Sequence, residues 1–252
     1  QVVGLAMDEE GLLPEALEKA CQSGHYRVLY LIPTLQNPTT ATMSLARRQA
    51  ILQICERYHL WVIEDEVHAL LPEVRPVTLH SLAPDRVIHI GSLAKGVSAG
   101  LRIGYLLVPE KLKAAAAQAV RGASWMVSPL LGEIVCRWLV SGDADRLLEQ
   151  QRQMLAERGR LLQHHLGHHA LRYAEGSMHA WLELPAHWRS AAFVAAAEAQ
   201  GIGLASAELF AAGHYPAPQA VRLSISHPLD NAALEQALIT LAGLLDSKGS
   251  AN

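Results

Sequence analysis

The stretch of residues 86–109, RVIHIGSLAKGVSAGLRIGYLLVP, constrains the fold of this chain more than any other segment. Its two apolar runs, at 87–90 and 103–108, contain β-branched residues and predict two buried strands. The turn between them is rich in Gly, Ser and Ala and holds a single lysine, Lys95. Because an amine is costly to bury without a partner, a lysine between two core strands indicates that a charge or a reaction engages it.

Lys95 stands apart from the other lysines of the chain. There are five in all, and the remaining four lie in charged or amphipathic sequence that is typical of solvent-facing positions: Lys19, Lys111, Lys113 and Lys248. Burial lowers the pKa of a lysine amine, which then becomes suited to forming a Schiff base with a carbonyl compound. We therefore expect Lys95 to be buried and to carry covalent chemistry.

Length and composition restrict the class of protein. Of 252 residues, 50% are hydrophobic and 18% are charged, which predicts a globular chain with one large domain, or one large and one small domain. A net charge of −3 gives no basic bias and argues against direct nucleic-acid contact by this segment. Three widely spaced cysteines predict reduced thiols in a cytoplasmic protein, and no apolar run is long enough to predict a membrane partner.

The order of predicted elements indicates the fold class. In the first half, patterns typical of strands alternate with patterns typical of helices: strands at 1–6, 28–32 and 60–63, and helices at 14–23 and 44–58. With the two strands of 86–109, this alternation predicts an α/β fold with a mostly parallel sheet and helices on both faces. The second half adds helices at 129–140, 143–166, 188–200 and 231–245, and strands at 178–184, 201–205 and 220–226. We expect a large domain at 1–142, then a connecting helix and a small α+β domain at 143–252.

Polar residues follow three of the predicted strands. Ligands of open parallel sheets bind at the carboxyl ends of the strands, which is where Asn37, Asp65 and the pair Ser92 and Lys95 fall. An amide, a carboxylate, a hydroxyl and an amine suit a pyridine cofactor that bears an aldehyde and a phosphate. Arg102 adds a guanidinium group that can bind the phosphate.

Each of these residues also has an ordinary structural interpretation. An Asp or Asn-Pro after a strand commonly forms a turn, a lone arginine commonly forms a surface ion pair, and Lys95 could extend from a loop into solvent. A structural domain without a cofactor is thus an alternative, although it requires Lys95, Asp65 and Arg102 to coincide by accident. The joint pattern, in order and in strand context, favours the cofactor site.

Three segments together resemble the fold-type-I aminotransferases that use pyridoxal phosphate: PTLQNPTTATMSLARR, WVIEDEVHALL and HIGSLAKGVSAGLRIGYLLVP. The resemblance covers essentially the whole chain. It is strongest to the branch that includes the aminotransferase-like domains of MocR-type transcriptional regulators, within the GntR family, and the aminoadipate/kynurenine-type aminotransferases. The most specific part is Ser92-x-x-Lys95 followed by Arg102-x-Gly104.

The resemblance implies pyridoxal 5'-phosphate as cofactor and assigns a role to each residue. Lys95 corresponds to the catalytic Schiff-base lysine and Asp65 to the catalytic partner of the ring nitrogen. Asn37 corresponds to the contact of the ring hydroxyl, and Ser92 and Arg102 correspond to the phosphate ligands.

Arg222, in AVRLSIS, matches the arginine that binds the substrate α-carboxylate, although it could instead be an exposed strand residue. His68 stands where the family usually has a tyrosine that contacts the cofactor ring, and NPTT replaces the usual NPTG. In the family, the glycine-rich phosphate loop, the ring-stacking aromatic residue and the first two strands lie upstream of the segment matching Gln1. We therefore expect an N-terminally truncated large domain, and weakened cofactor affinity for residues 1–252 alone.

Two functions are compatible with these residues. The first is the effector domain of a MocR-type regulator that senses pyridoxal phosphate, held as a Schiff base on Lys95, or an amino compound bound to it. The parent protein would then carry a DNA-binding winged helix. The pair Arg47-Arg48, the triplet Glu64-Asp65-Glu66 and the atypical His68 favour this function. The alternative is a transferase, a pyridoxal-phosphate-dependent aminotransferase acting on an amino acid and a 2-oxo acid, so the enzymatic status stays open.

The remaining expectations concern partners. We expect a small amino compound or amino acid as ligand, and a homodimer for the full-length cytoplasmic protein. Four histidines near the end of a predicted helix, at 164, 165, 168 and 169, have no carboxylate or cysteine pattern beside them. They predict a polar helix end, and no metal site is expected.

Overall fold

The computed structural model describes residues 2–212, 216–227 and 230–247, and the chain divides into two compact units. The N-terminal unit consists of Leu5–Gln36 and Ala41–Arg152. The C-terminal unit consists of Gln1–Gly4, Asn37–Thr40 and Gln153–Asn252. Within the described ranges, no helix combines the length and apolarity that a membrane span requires.

The N-terminal unit begins with a short antiparallel hairpin formed by β1 (Met7–Asp8) and β2 (Gly11–Leu12). Its main sheet has the order β3-β4-β5-β6, with β3 at Val28–Leu31, β4 at Trp61–Asp65, β5 at Val87–Ser92 and β6 at Gly104–Leu107. The first three strands are parallel, as predicted, and β6 runs antiparallel to β5. The predicted α/β class is confirmed, with a mixed sheet.

Two predictions about these strands are wrong. Residues 2–6 form no strand, and Gln1 lies outside the described residues. The second apolar run of 86–109 was expected to be buried, but every residue of β6 is exposed. Among the described residues β6 pairs with β5 alone, so it is an edge strand. An apolar run predicts a strand, but it does not say what covers that strand.

Six helices belong wholly or partly to this unit: α1 (Pro14–Ser23), α2 (Leu45–Arg57), α3 (Leu79–Leu82), α4 (Lys113–Ser124), α5 (Pro129–Ser141) and α6 (Asp143–Leu166). Pro14 occupies the first turn of α1, where its missing N–H costs nothing. The hydroxyl of Ser44 accepts a hydrogen bond from the backbone N–H of Arg47 and caps α2. Apolar side chains of α2 pack with those of β3, β4 and β5, including the buried Ile51 and Val62.

The C-terminal unit holds an antiparallel sheet of order β7-β8-β10-β9. Its elements are β7 (Leu171–Arg172), β8 (His179–Glu183), α7 (Ser190–Glu198), β9 (Ala205–Ser206), β10 (Ala220–Ser224) and α8 (Asn231–Asp246). The predicted strand at 201–205 is wrong except at its last residue, and β7 was not predicted. Both β7 and β9 have only two residues, too few to show an alternating pattern.

The cysteines are free, as predicted, but they differ in environment: Cys55 is buried, Cys21 is half-buried and Cys136 is exposed. Burial raises the pKa of Cys55 to about 12. Almost none of the Cys55 thiol is then ionised at pH 8, and the thiolate is the reactive form. We expect iodoacetamide to alkylate Cys136 in the native protein and to reach Cys55 only after unfolding. Peptide mass mapping measures both, and comparable alkylation of the two in the native state would contradict this.

Candidate cofactor site

The topology of the main sheet brings several predicted site residues to one edge. Asp65 is the last residue of β4 and pairs in parallel register with Ile90 of β5, so both strands leave the sheet at the same edge. β6 returns from that edge, with Gly104 opposite Ser92. Arg102 immediately precedes this return, and Lys95 lies in the loop between β5 and β6. This edge is the carboxyl end of the parallel strands, where ligands of such sheets bind.

The two cations of this edge lie in solvent. Lys95 is exposed, so the expectation of a buried amine is wrong, because the loop carries it beyond the end of the sheet. Arg102 is also exposed, and neither side chain has an ion-pair or hydrogen-bond partner among the described residues. The alternative prediction, a surface ion pair formed by Arg102, is therefore not seen among the residues that the structure describes. Both cations are available to an anionic ligand.

Arg102 has a left-handed backbone conformation, with φ 50° and ψ 30°. For a residue other than glycine this conformation costs about 1–3 kcal/mol, and such residues concentrate at functional sites. Hydrogen bonds on both sides stabilise it, from the N–H of Leu101 to the carbonyl of Ser98 and from the N–H of Leu93 to that of Ile103. This strained residue lies two residues before β6, at the edge that also carries Ser92.

Ser92 organises the start of the loop that carries Lys95. Its hydroxyl accepts a hydrogen bond from the backbone N–H of Ala94 at 3.1 Å. The same hydroxyl donates to the carbonyl of Ile103 at 3.4 Å, which ties the two strands together at the edge. Ser92 therefore has a structural role in addition to the predicted contact with a phosphate.

Asp65 is held by two hydrogen bonds. Its Oδ2 accepts from the hydroxyl of Tyr30 at 2.7 Å, and its Oδ1 accepts from the backbone N–H of Val67 at 3.2 Å. The second bond is the turn-forming interaction that the structural alternative predicted. Partial burial, and then the bond to Asp65, raise the pKa of the Tyr30 phenol, which keeps it a donor. The sequence analysis did not find Tyr30, because nothing in the sequence joins β3 to Asp65.

His68, which lies three residues beyond Asp65, is buried.

A buried charged cluster, also missed, lies on the opposite side of the strand end from Asp65. Side chains alternate along a strand, so Glu64 and Glu66 point inward while Asp65 points the other way. Nη1 of Arg48 lies 3.1 Å from Oε1 of Glu66 and 3.7 Å from Oε1 of Glu64. All three side chains are essentially inaccessible to solvent. Burial raises the pKa of the Glu66 carboxyl, and the neighbouring Arg48 opposes that shift.

Arg48 also binds the loop that follows β3. Its Nη2 donates to the hydroxyl of Thr34 at 2.8 Å and to the carbonyl of Pro33 at 3.0 Å. Thr34 in turn donates to Oε1 of Glu66 at 2.9 Å. Arg47 pairs with Asp8 at 2.7 Å. The pair Arg47-Arg48 and the acidic triplet thus have a structural explanation, and they carry no weight in favour of a regulator. The signal that could have found this cluster is a charged residue inside the apolar face of α2.

In the C-terminal unit, Asn37 and Arg222 contact each other. Nη1 of Arg222 donates to the side-chain oxygen of Asn37 at 3.0 Å, and the guanidinium carbon lies 5.0 Å above the ring of Phe210. The Nε atom of Arg222 is buried without a hydrogen-bond partner among the described residues. Burial also lowers the pKa of Arg222. Arg222 is half-buried, so the alternative of an exposed strand residue is wrong, and its free donor suits a carboxylate.

Comparison with known proteins shows the family to which this chain belongs. Residues 7–241 match the family described as aminotransferase class I and II. This chain belongs to the class I and II aminotransferase family. The chain is 36% identical over 246 residues to YdeF, an uncharacterized HTH-type transcriptional regulator of Bacillus subtilis. That match covers 98% of this chain and 53% of YdeF. It is 32% identical over 188 residues to 2-aminoadipate transaminase of Thermus thermophilus, covering 70% of this chain and 47% of the transaminase.

Solved aminotransferases confirm the fold. The α-aminoadipate aminotransferase LysN of Thermus thermophilus, in complex with N-(5'-phosphopyridoxyl)-L-leucine, superimposes with a TM-score of 0.86 at 28% identity. That alignment covers 96% of this chain and 64% of LysN. Kynurenine aminotransferase of Pyrococcus horikoshii gives the same TM-score at 22% identity, which shows the fold alone. The chain thus spans about half to two thirds of the length of these relatives.

The predicted cofactor, pyridoxal phosphate, is confirmed by the family and by the phosphopyridoxyl ligand of the related structure. The residues present fit this group, because a free amine, a free guanidinium and an oriented carboxylate lie at one sheet edge. When bound, the cofactor supplies an aldehyde and a ring that accepts electrons. Lys95 would hold the aldehyde, Asp65 the ring nitrogen, and Ser92 with Arg102 the phosphate.

Proposed function

We propose that this chain is the effector domain of a MocR-type transcriptional regulator, which binds pyridoxal phosphate and senses an amino compound through it. The observation that carries the proposal is the extent of similarity. The match to the HTH-type regulator YdeF covers 98% of this chain at 36% identity, whereas the match to 2-aminoadipate transaminase covers 70% at 32%. A second HTH-type regulator of Bacillus subtilis, YdfD, is 34% identical over 64% of the chain.

Each site residue has a binding or orienting role in this proposal. Lys95 would hold the cofactor aldehyde, and Asp65, fixed by Tyr30, would keep a proton on the ring nitrogen. Arg222 binds the α-carboxylate of the amino compound, and its contact with Asn37 orients the guanidinium. The amide nitrogen of Asn37 remains available for the ring hydroxyl. His68 takes the place of the family's tyrosine near the ring.

A second candidate function is an aminotransferase, and the retained set of Lys95, Asp65 and Arg222 favours it. In this function the Lys95 amine moves a proton between the α-carbon of the amino acid and the cofactor. We expect the parent protein to be a homodimer in either case. The two functions differ in whether the amino group is passed on to a 2-oxo acid.

The test uses the full-length parent protein loaded with pyridoxal phosphate. A regulator is expected to change its affinity for its own promoter DNA when an amino compound is added, and to show no turnover with a 2-oxo acid acceptor. Gel-shift titration measures the first and a coupled assay of 2-oxo acid formation measures the second. Turnover at enzymatic rates without any change in DNA binding would overturn the regulator and support the aminotransferase.

Replacing Arg222 by glutamine is expected to weaken the binding of an amino acid to the cofactor-loaded protein by about 10- to 100-fold. The reason is the loss of charged hydrogen bonds, worth about 1.5–3 kcal/mol, to the α-carboxylate. The visible absorbance of the cofactor reports the binding. The matched control is the amine that lacks only the carboxylate, whose affinity should stay unchanged. An equal loss for both ligands would show that the substitution disrupts the site generally.

A further inference from the structure

Three potential metal ligands meet at the surface of the C-terminal unit. His168 and His169 follow the end of α6, and Asp246 is the last residue of α8. One ligand atom from each of the three lies within 4.8 Å of the other two. The histidines alone predicted a polar helix end, because no carboxylate is close to them in the sequence. The fold supplies that carboxylate from the last helix.

The imidazole of His169 is the central observation. Its Nε2 atom is buried and has no hydrogen-bond partner among the described residues. The nearest carboxylate oxygen, Oδ1 of Asp246, lies 3.9 Å away, which is too long for a hydrogen bond. Two ligand atoms of a tetrahedral zinc ion are about 3.3 Å apart, so a small movement of the exposed Asp246 side chain would complete the bridge. A metal ion would satisfy an atom that the protein leaves unsatisfied.

The imidazole of His168 lies beside that of His169. The rings of His168 and His169 are 4.1 Å apart between centroids, so both reach the same small volume.

The neighbouring histidines are not part of this group. Nε2 of His165 lies 3.2 Å from Oε1 of Glu235, so that imidazole is already paired. His164 is exposed and stacks edge-on against His165, with ring centroids 4.7 Å apart. His164 therefore offers a matched control, since it is a histidine on the same helix end but outside the group.

We propose that His168, His169 and Asp246 form a surface site for a divalent transition metal, with zinc as the preferred ion. Two imidazoles and a carboxylate leave the fourth tetrahedral position to water. The ion would join the segment after α6 to the end of α8, and its binding would add to the stability of the folded unit. The site is independent of the cofactor and of the proposed function.

The test is a calorimetric titration of the untagged 252-residue chain with zinc chloride. Cys136 is exposed and would compete for zinc, so every variant is made in a Cys136→Ser background. We expect one zinc ion per chain and a rise in Tm on zinc addition. His169→Ala and Asp246→Asn should each weaken binding at least about tenfold, which corresponds to about 1.4 kcal/mol. Asp246→Asn preserves the shape of an exposed side chain and should leave the fold intact.

The control variant His164→Asn should bind zinc like the 252-residue chain that carries Cys136→Ser alone. The proposal is overturned by the absence of saturable zinc uptake. It is equally overturned if His169→Ala and Asp246→Asn bind zinc as tightly as the chain with Cys136→Ser alone, or if His164→Asn loses as much zinc affinity as they do. The last result would show that zinc binds the histidine-rich helix end without Asp246.

Discussion

Replacing Lys95 by alanine is expected to abolish the specific covalent adduct that forms when the protein is incubated with pyridoxal phosphate and reduced with borohydride. Only a primary amine forms the Schiff base that the reduction traps, and Lys95 is the lysine at the strand edge that holds Asp65, Ser92 and Arg102. Intact mass spectrometry should show one adduct on the unsubstituted 252-residue chain and none on the Lys95→Ala variant. Reduction traps even a weakly bound cofactor, so tight affinity is not required.

The control for this experiment is Lys113→Ala. Lys113 is a lysine of the same unit, and its amine pairs with Glu110 in solvent. This variant should form the adduct like the parent chain, and peptide mapping should place the modification on Lys95. Lys95 is exposed, so its removal should leave the free energy of unfolding nearly unchanged. An adduct that persists in Lys95→Ala at the same stoichiometry would remove Lys95 from the site.

Replacing Arg48 by methionine is expected to lower the free energy of unfolding by about 3–5 kcal/mol. Arg48 is the cation beside the inaccessible carboxylate of Glu66, and methionine would leave Glu66 without it, whereas Glu64 keeps hydrogen bonds from the backbone N–H groups of Leu79 and His80. The substitution also removes the hydrogen bonds to Thr34 and Pro33. Urea denaturation measures the loss.

A matched control and a rescue sharpen this experiment. Arg57, on the same helix, forms an exposed ion pair with Glu18, so Arg57→Met should cost no more than about 1 kcal/mol. Adding Glu66→Gln to Arg48→Met should recover part of the lost stability, because the buried carboxylate that has lost its cation is then replaced by a neutral amide. If Arg48→Met unfolds like Arg57→Met, the cluster has no special role in holding the strand end that carries Asp65.

The sequence by itself determined most of the elements and the cofactor. Helix boundaries such as Pro14–Ser23 and Asp143–Leu166 follow from local signals, namely a proline in the first turn and an apolar period of a helix. Strand–helix alternation forces parallel pairing, and parallel pairing places Asp65 and Ser92 at a common edge. These inferences need only short-range patterns, which is why they held.

Only the tertiary structure decided which distant side chains meet. Tyr30 with Asp65, Arg48 with Glu66 and Asp246 with His169 are contacts between separate elements, and their partners depend on strand order and helix packing. The tertiary structure also decided which residues are buried, because β6 and Lys95 are exposed although the apolar sequence around them predicted an interior position. Local sequence specifies a backbone conformation and an apolar face, whereas the surfaces that cover that face come from elsewhere in the fold.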